Sequence, residues 1–156
     1  MPKIATADAI TRDELLAFLR PRHNGIYAAT RGDGRPQLSP VSCGVDADGR
    51  IVVATYPQRA KTNNTRRDPE VSICVLSDEF DGPWVQVYGS AEVLDMPEAA
   101  EAFVDYYRAI AGEHPDWPEY KQAMAEQGKS LIRITPTSWG PVATGGFPPE
   151  VAARMG

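Results

Sequence analysis

Within the segment Arg59-Ala60-Lys61-Thr62-Asn63-Asn64-Thr65-Arg66-Arg67, four cations and several hydroxyl or amide side chains fall in nine residues. It follows an apolar run and opens a short predicted helix. A helix N-terminus presents free backbone N–H groups and the positive end of a dipole, so it attracts anions. Arg59 suits a bidentate contact with a phosphate, Lys61 adds a point charge, and the Thr62 hydroxyl is a donor. Arg66 and Arg67 are weaker members, because Asp68 follows at once and is placed to neutralise one of them. The plainer reading is a solvated basic face ahead of a helix.

Other chemistry is sparse. There is no Walker loop, no GxSxG elbow and no HExxH pair. His23 and His114 stand alone, without metal-ligand spacing, and read as structural. Cys43 and Cys74 sit in separate apolar runs and read as buried reduced thiols; a disulfide would need an oxidising compartment. An anion site without an evident general base or nucleophile suits a protein that holds a cofactor and lets the cofactor do the chemistry.

The elements that position this segment can be read from local pattern. Thr11 and Glu14 have capping-box spacing for a first helix that ends at Pro21. Strands are predicted over 25–30, 35–45, 51–55, 71–76 and 84–94, the first three joined by Gly/Asp turns. Pro40 interrupts the second strand and marks an edge, a bulge, or backbone turned toward a ligand. IVVAT at 51–55 is apolar throughout and so central, and Gly89 marks a bulge in the fifth strand. A helix follows with Asp95 as its cap, Pro97 in its first turn and Gly112 as its stop. A second is capped by Asp116 and stops at Gly128. A last strand, 130–139, precedes a Gly/Pro-rich tail. Hairpin-linked strands with a helical pair predict a mainly β, α+β fold: an antiparallel barrel or curled sheet with helices at its edges, not a Rossmann fold.

The 156 residues fit one domain able to bury its own core. A net charge of -5 disfavours nucleic acid and anionic membrane as partners, so an anion site must be local. No stretch approaches the ~20 apolar residues of a membrane span, and the acidic N-terminus does not read as a secretory signal. The expectation is a cytoplasmic protein.

The run from Gly34 to Val75, with WVQVYGSAEVL, YYRAIAGEHPDWPEYKQAM and LIRI, resembles the pyridoxamine 5'-phosphate oxidase-like split-barrel superfamily over roughly residues 10–140. It is most similar to the flavin/deazaflavin oxidoreductase branch. The segments AKTxNxRRDP and YRxIxGEHPDW resemble members that use the deazaflavin coenzyme F420 in place of FMN. The resemblance implies a six-stranded antiparallel split β-barrel of the FMN-binding type, one domain over 1–156 with 141–156 as its tail. It also implies a homodimer with two cofactor sites at its interface. Arg59, Ala60, Lys61, Thr62 and Asn64 would surround the cofactor phosphate. Gln37, Leu38, Ser39 and Pro40 would run beside the ring, with Ala54 and Thr55 near the ribityl chain. Trp84 and Gln86 would reach the site from the partner subunit, and Trp139 would lie near the ring. By residue type alone, Trp84 also reads as dimer or barrel core, Pro40 as an edge-strand proline and Gln37 as solvent-facing. The C-terminal substrate-binding arginine pattern of pyridoxamine phosphate oxidases themselves is missing, so the resemblance does not extend to vitamin B6 oxidation.

Three functions fit. The first is a deazaflavin-dependent oxidoreductase delivering hydride to an electron-poor small molecule such as an enone, quinone or tetrapyrrole. The second is an FMN-dependent oxidoreductase of the same fold. The third is a non-catalytic carrier of the same cofactor.

Overall fold

The computed structural model describes residues 2–155. Its elements are β1 (Thr6–Asp8), α1 (Arg12–Leu19), β2 (Asn24–Thr30), β3 (Pro36–Val45), β4 (Ile51–Thr55), α2 (Ala60–Arg67), β5 (Glu70–Leu76), β6 (Val85–Asp95), α3 (Ala100–Ala111), α4 (Trp117–Gln127), β7 (Ser130–Trp139), β8 (Val142–Thr144) and α5 (Pro149–Met155). Six strands close into an antiparallel barrel in the order β2-β3-β4-β7-β6-β5, the mainly β architecture with flanking helices that the sequence predicts.

One connection departs from the hairpin reading. β5 does not pair with β4; α2 carries the chain across one end of the barrel, and β5 pairs with β2. The tail is also more structured than its composition suggests. β8 pairs with β1, and α5 follows.

The barrel interior is filled by alternate residues of each strand, as a period of two requires. Tyr27, Val53, Ile73, Val87 and Ile132 are fully buried there, with Leu15 and Leu19 of α1 packed against them. α1 begins as predicted, with Thr11 accepting from Glu14 N–H and Glu14 accepting from Thr11 N–H. A second core, built on Phe103, Tyr120, Met124 and Leu131, lies under α3 and α4. Asp116 caps α4 as predicted, whereas Asp95 does not cap α3. Its carboxylate instead accepts from Ser130 Oγ at 2.5 Å and from Arg66 at 2.7 Å, and α3 starts after Ala99, beyond Pro97. The Gly89 bulge is present, with a register shift between Tyr88 and Gly89.

The barrel has a built-in gap. β3 and β4 pair only through Cys43–Val45 with Ile51–Val53, so among the described residues Pro36–Ser42 bonds to β2 on one side and has no strand on the other. Pro40 sits in this one-sided stretch, where its missing N–H costs no second-side bond.

Candidate functional site

α2 starts where β4 ends, and two hydroxyl relays fix it. Thr62 Oγ1 donates to the Tyr56 carbonyl at 2.7 Å, so the bond to Thr55 at 3.0 Å must be donated by Thr55. Thr65 Oγ1 donates to the Lys61 carbonyl at 2.7 Å, so Tyr27 O–H donates to Thr65 at 2.6 Å. Tyr27 is fully buried, and desolvation pushes its hydroxyl up to about 12, against the pull of the Thr65 bond. One relay ends on the Tyr56 carbonyl just after β4 and the other on the Lys61 carbonyl in the first turn of α2, and through Thr55 and Tyr27 they tie that turn to β4 and β2.

That turn faces outward with charge. Arg59 is the N-cap and spends no side-chain bond on capping. The N–H groups of Ala60 and Lys61 precede the first intrahelical acceptor and are available to an anion. Lys61 is half-buried, and desolvation, then the neighbouring Arg59 charge, lowers its pKa from the ordinary lysine value. Among the described residues, neither Arg59 nor Lys61 pairs with a carboxylate. Two neighbouring cations with no counterion, one partly desolvated, form a site that gains free energy when an anion arrives.

The other two cations of the motif are already committed. Arg66 pairs with Asp95, and Arg67 donates to the Thr30 carbonyl at 2.9 Å and to Asn64 Oδ1 at 2.7 Å. Asp68 neutralises neither of them; its carboxylate accepts from Glu70 N–H. Thr62 and Asn64 are buried and their side chains are used internally, so their contribution is to the shape of the turn.

A cation that sequence reading missed joins the turn from elsewhere. Lys129, just after α4, places Nζ 5.5 Å from the centre of the Tyr56 ring, and the Arg59 guanidinium lies 5.8 Å from the same ring. Tyr56 thus bridges two cations, neither of them paired with a carboxylate.

α2 packs against β3, whose one-sided stretch borders the gap in the barrel and carries polar groups of its own. On β3, Gln37 and Ser39 point to the same side as their cross-strand partners Ala29 and Tyr27, the side from which Tyr27 reaches α2. Gln37 Oε1 and Ser39 Oγ are buried with no hydrogen-bond partner. Buried polar atoms are nearly always paired, so two orphans on one strand edge stand out as groups still able to hydrogen-bond. Ala54 and Thr55, at the end of β4, lie just before the cationic turn.

The remaining predicted residues lie apart from it. Leu38 and Pro40 project to the outside of the barrel. They share that face with Ile26 and Ala28 of β2, Ser72 and Cys74 of β5, and Gln86 and Tyr88 of β6. Leu38 is 61% exposed and Tyr88 46%. Trp84 sits at one border of this face, bridged to Ala143. Trp139 is at the α1 end, donating its indole N–H to the Ile10 carbonyl at 2.9 Å. Its strand partner Val87 is separated from Asp95 by about 26 Å of strand. Within one subunit, Trp84, Gln86 and Trp139 therefore do not meet the cationic turn.

A family model described as pyridoxamine 5'-phosphate oxidase matches residues 11–143. Among solved structures, a conserved hypothetical protein of Mycobacterium tuberculosis superposes with a TM-score of 0.71 at 27% identity, covering 90% of this chain and 89% of its own. An F420 reductase superposes with a TM-score of 0.58 at 22% identity, covering 79% of this chain and 93% of its own. A heme binding protein from Mycobacterium smegmatis superposes at 0.63 and 21% identity, covering 84% of this chain and 53% of its own. The last two likenesses are of fold. No helix among the described residues is long and apolar enough to cross a membrane.

Proposed function

The chain belongs to the pyridoxamine 5'-phosphate oxidase family, and from that premise we propose that it is a deazaflavin-dependent oxidoreductase, binding coenzyme F420 and reducing an electron-poor small molecule. The observation that carries this reading is the pairing of uncompensated Arg59 and Lys61 with the orphaned Gln37 Oε1 and Ser39 Oγ across the barrel gap. The cations would hold a phosphate at the α2 N-terminus, and the β3 edge would hydrogen-bond the polar rim of a ring system. When bound, the cofactor supplies the hydride. The chain's own residues bind it, orient it and exclude water.

Lys129 favours the deazaflavin over FMN. FMN brings one phosphate, whereas the deazaflavin adds the carboxylates of its glutamate tail, and a third free cation beside Tyr56 suits that extra charge.

The outer barrel face supports a homodimer. Its rows Leu38–Ala28–Ser72–Tyr88 and Pro40–Ile26–Cys74–Gln86 run across four strands, about 14 Å wide, with the large side chains of Leu38 and Tyr88 exposed at its two sides. A two-fold axis lying in the interface, parallel to the strands and between β2 and β5, would lay β6 of one subunit over β3 of the other. Gln86 and Trp84 of the partner subunit would then approach the Leu38–Pro40 face of β3, the strand whose opposite face carries Gln37 and Ser39. An isologous contact of this kind is the commonest oligomer geometry.

Parallel titration of the protein with coenzyme F420, FMN and FAD tests the reading. The deazaflavin should bind tightest, and Lys129→Gln should weaken the deazaflavin but not FMN. Equal or tighter FMN binding, with Lys129→Gln affecting neither, would move the assignment to an FMN enzyme. Tight deazaflavin binding without oxidation of its reduced form by any of a broad acceptor panel would leave a carrier.

A further inference from the structure

The outer barrel face is uneven at the end where β5 turns into β6. Its last row there reads Ser42–Asn24–Leu76, and one further step in the Val75–Val85 register adds Trp84. Half of this row is small and polar, and half is large and apolar. Over the small half lies a hollow of about 350 Å³ whose walls include Asn24, Ile26, Pro40 and Ser42. Beyond the large half stands the β5–β6 turn, with Phe80 89% exposed and Trp84 37% exposed. Phe80 and Trp84 border the same surface as Cys74 and Leu76, the outward side chains of β5, so the two rings stand over the outer face.

The area of the face decides what covers these rings. Four strands give about 14 Å of width and the run from Pro36 to Ser42 about 20 Å of length, a footprint of roughly 300 Å² per subunit. A stable interface buries about 800 Å² per partner. A dimer of the bare strands is therefore too small and has to extend past the barrel. At the Pro36 end the chain offers Arg31, Asp33 and Arg35, which pair with one another. At the other end it offers the turn, held in shape by Ser77 Oγ donating to the Pro83 carbonyl at 2.5 Å and by Trp84 exchanging both backbone bonds with Ala143 at 3.0 Å.

We propose that the β5–β6 turn is a docking arm for a second copy of this chain, and that the arm braces the strand that carries the cofactor-binding edge. This rests on the dimeric deazaflavin reading above. The two-fold operation lays each row over itself in reverse order. The partner subunit's Trp84 then lies over Ser42, the partner subunit's Leu76 lies over Asn24, and the partner subunit's Phe80 reaches the hollow from the turn. Large side chains meet small ones on both sides of the axis, as an isologous contact requires. The charges agree. Asp78 and Glu79 on the turn, and Arg20 and Arg22 ahead of Asn24, form no ion pair among the described residues. The same operation brings the acidic turn to that basic segment.

The bracing follows from the barrel gap. Pro36–Ser42 bonds to β2 on one side and, among the described residues, to no strand on the other. Pro40 and Ser42, on its outer side, wall the hollow, while Gln37 and Ser39, on its other side, carry the two orphaned polar atoms. A second copy seated in the hollow backs this half-supported strand directly behind the edge that the cofactor uses. Docking and cofactor binding then order the same segment, so each favours the other.

Sedimentation equilibrium of the full chain without cofactor, followed by titration with coenzyme F420, tests both halves. Phe80→Asp sets a carboxylate against the hollow from an exposed turn that does not touch the core. Ser42→Trp fills the hollow from the receiving side, at an exposed position of β3. Each should weaken the dimer by at least about a hundredfold with the far-ultraviolet circular dichroism unchanged, because symmetry applies every change twice. The Phe80→Asp monomer should also bind coenzyme F420 at least about tenfold more weakly than the wild-type dimer. A wild-type protein that stays monomeric at every concentration, or a dimer that either variant leaves intact, would overturn the docking. A Phe80→Asp monomer that binds the cofactor as tightly as wild type would overturn the bracing of β3. A wild-type dimer that fails to bind coenzyme F420 would instead defeat the cofactor reading and leave the docking standing.

Discussion

Removing the Lys61 ammonium should separate binding from folding. Lys61 is half-buried, is held below its ordinary pKa by desolvation and by Arg59, and has no carboxylate partner among the described residues. In the free protein it is thus a cost, and in the complex it is a charge-assisted donor to a phosphate. Such bonds contribute about 1.5–3 kcal/mol, and partial burial places Lys61 toward the top of that range. Lys61→Ala should weaken cofactor binding by about 2–3 kcal/mol, or roughly 30–150-fold. Arg59 is exposed, so solvent screens it, and Arg59→Ala should cost only about 1.5 kcal/mol, roughly tenfold. Neither change removes an intramolecular ion pair, so the melting temperature without cofactor should hold or rise. The assay is quenching of cofactor fluorescence at fixed ionic strength, beside a thermal melt. Binding like wild type in both variants would refute the reasoning. So would a Lys61→Ala protein that melts earlier yet binds unchanged, since Lys61 would then be serving the fold.

The same lysine predicts a pH profile. An anion favours the protonated ammonium, so affinity should be full below the pKa of Lys61 in the free protein and fall above it. Because that pKa is lowered, the fall should begin below the ordinary value of 10.5, and Lys61→Arg should flatten it. Ser39→Ala removes a buried hydroxyl that has no partner, so urea unfolding should show stability unchanged or slightly raised while cofactor affinity drops. Thr65→Val would strand the Tyr27 hydroxyl in the core and free the Lys61 carbonyl, lowering stability by about 1–3 kcal/mol in the same assay. Stability from Tyr27 itself should be complete below pH 10, the ordinary tyrosine value, and be lost as pH rises to about 12, because the unfolded chain ionises there first. Gly89→Ala would set a Cβ 2.5 Å from the Thr135 carbonyl oxygen at the bulge, and should cost about 2–3 kcal/mol by thermal denaturation.

Where local chemistry decides a feature, the sequence discloses it. The Thr11/Glu14 box, the Asp116 cap, the fully apolar IVVAT strand and the Gly89 bulge each follow from side chains within a few positions of one another. The features that were hidden depend on long-range closure. β5 beside β2, and the β1–β8 pair, bring together segments that no turn signal links. Asp95 looks like a cap because it precedes a helix, but Arg66 and Ser130 outcompete the helix for its carboxylate. The same principle governs the site. Arg59 and Lys61 were legible as a cluster, whereas Lys129 looks in sequence like an ordinary cation after a helix-ending glycine. Only the packing of Tyr56 between it and Arg59 brings it to the turn. Nor does residue type reveal that Gln37 and Ser39 lack partners, since that depends on how early β4 leaves β3.

The most direct test is a crystal structure of the protein grown with coenzyme F420. The phosphate should lie within hydrogen-bond distance of Lys61 Nζ and of the Ala60 or Lys61 N–H, with the ring edge on Gln37 or Ser39. A phosphate bound elsewhere, with Lys61 still facing solvent, would contradict the account.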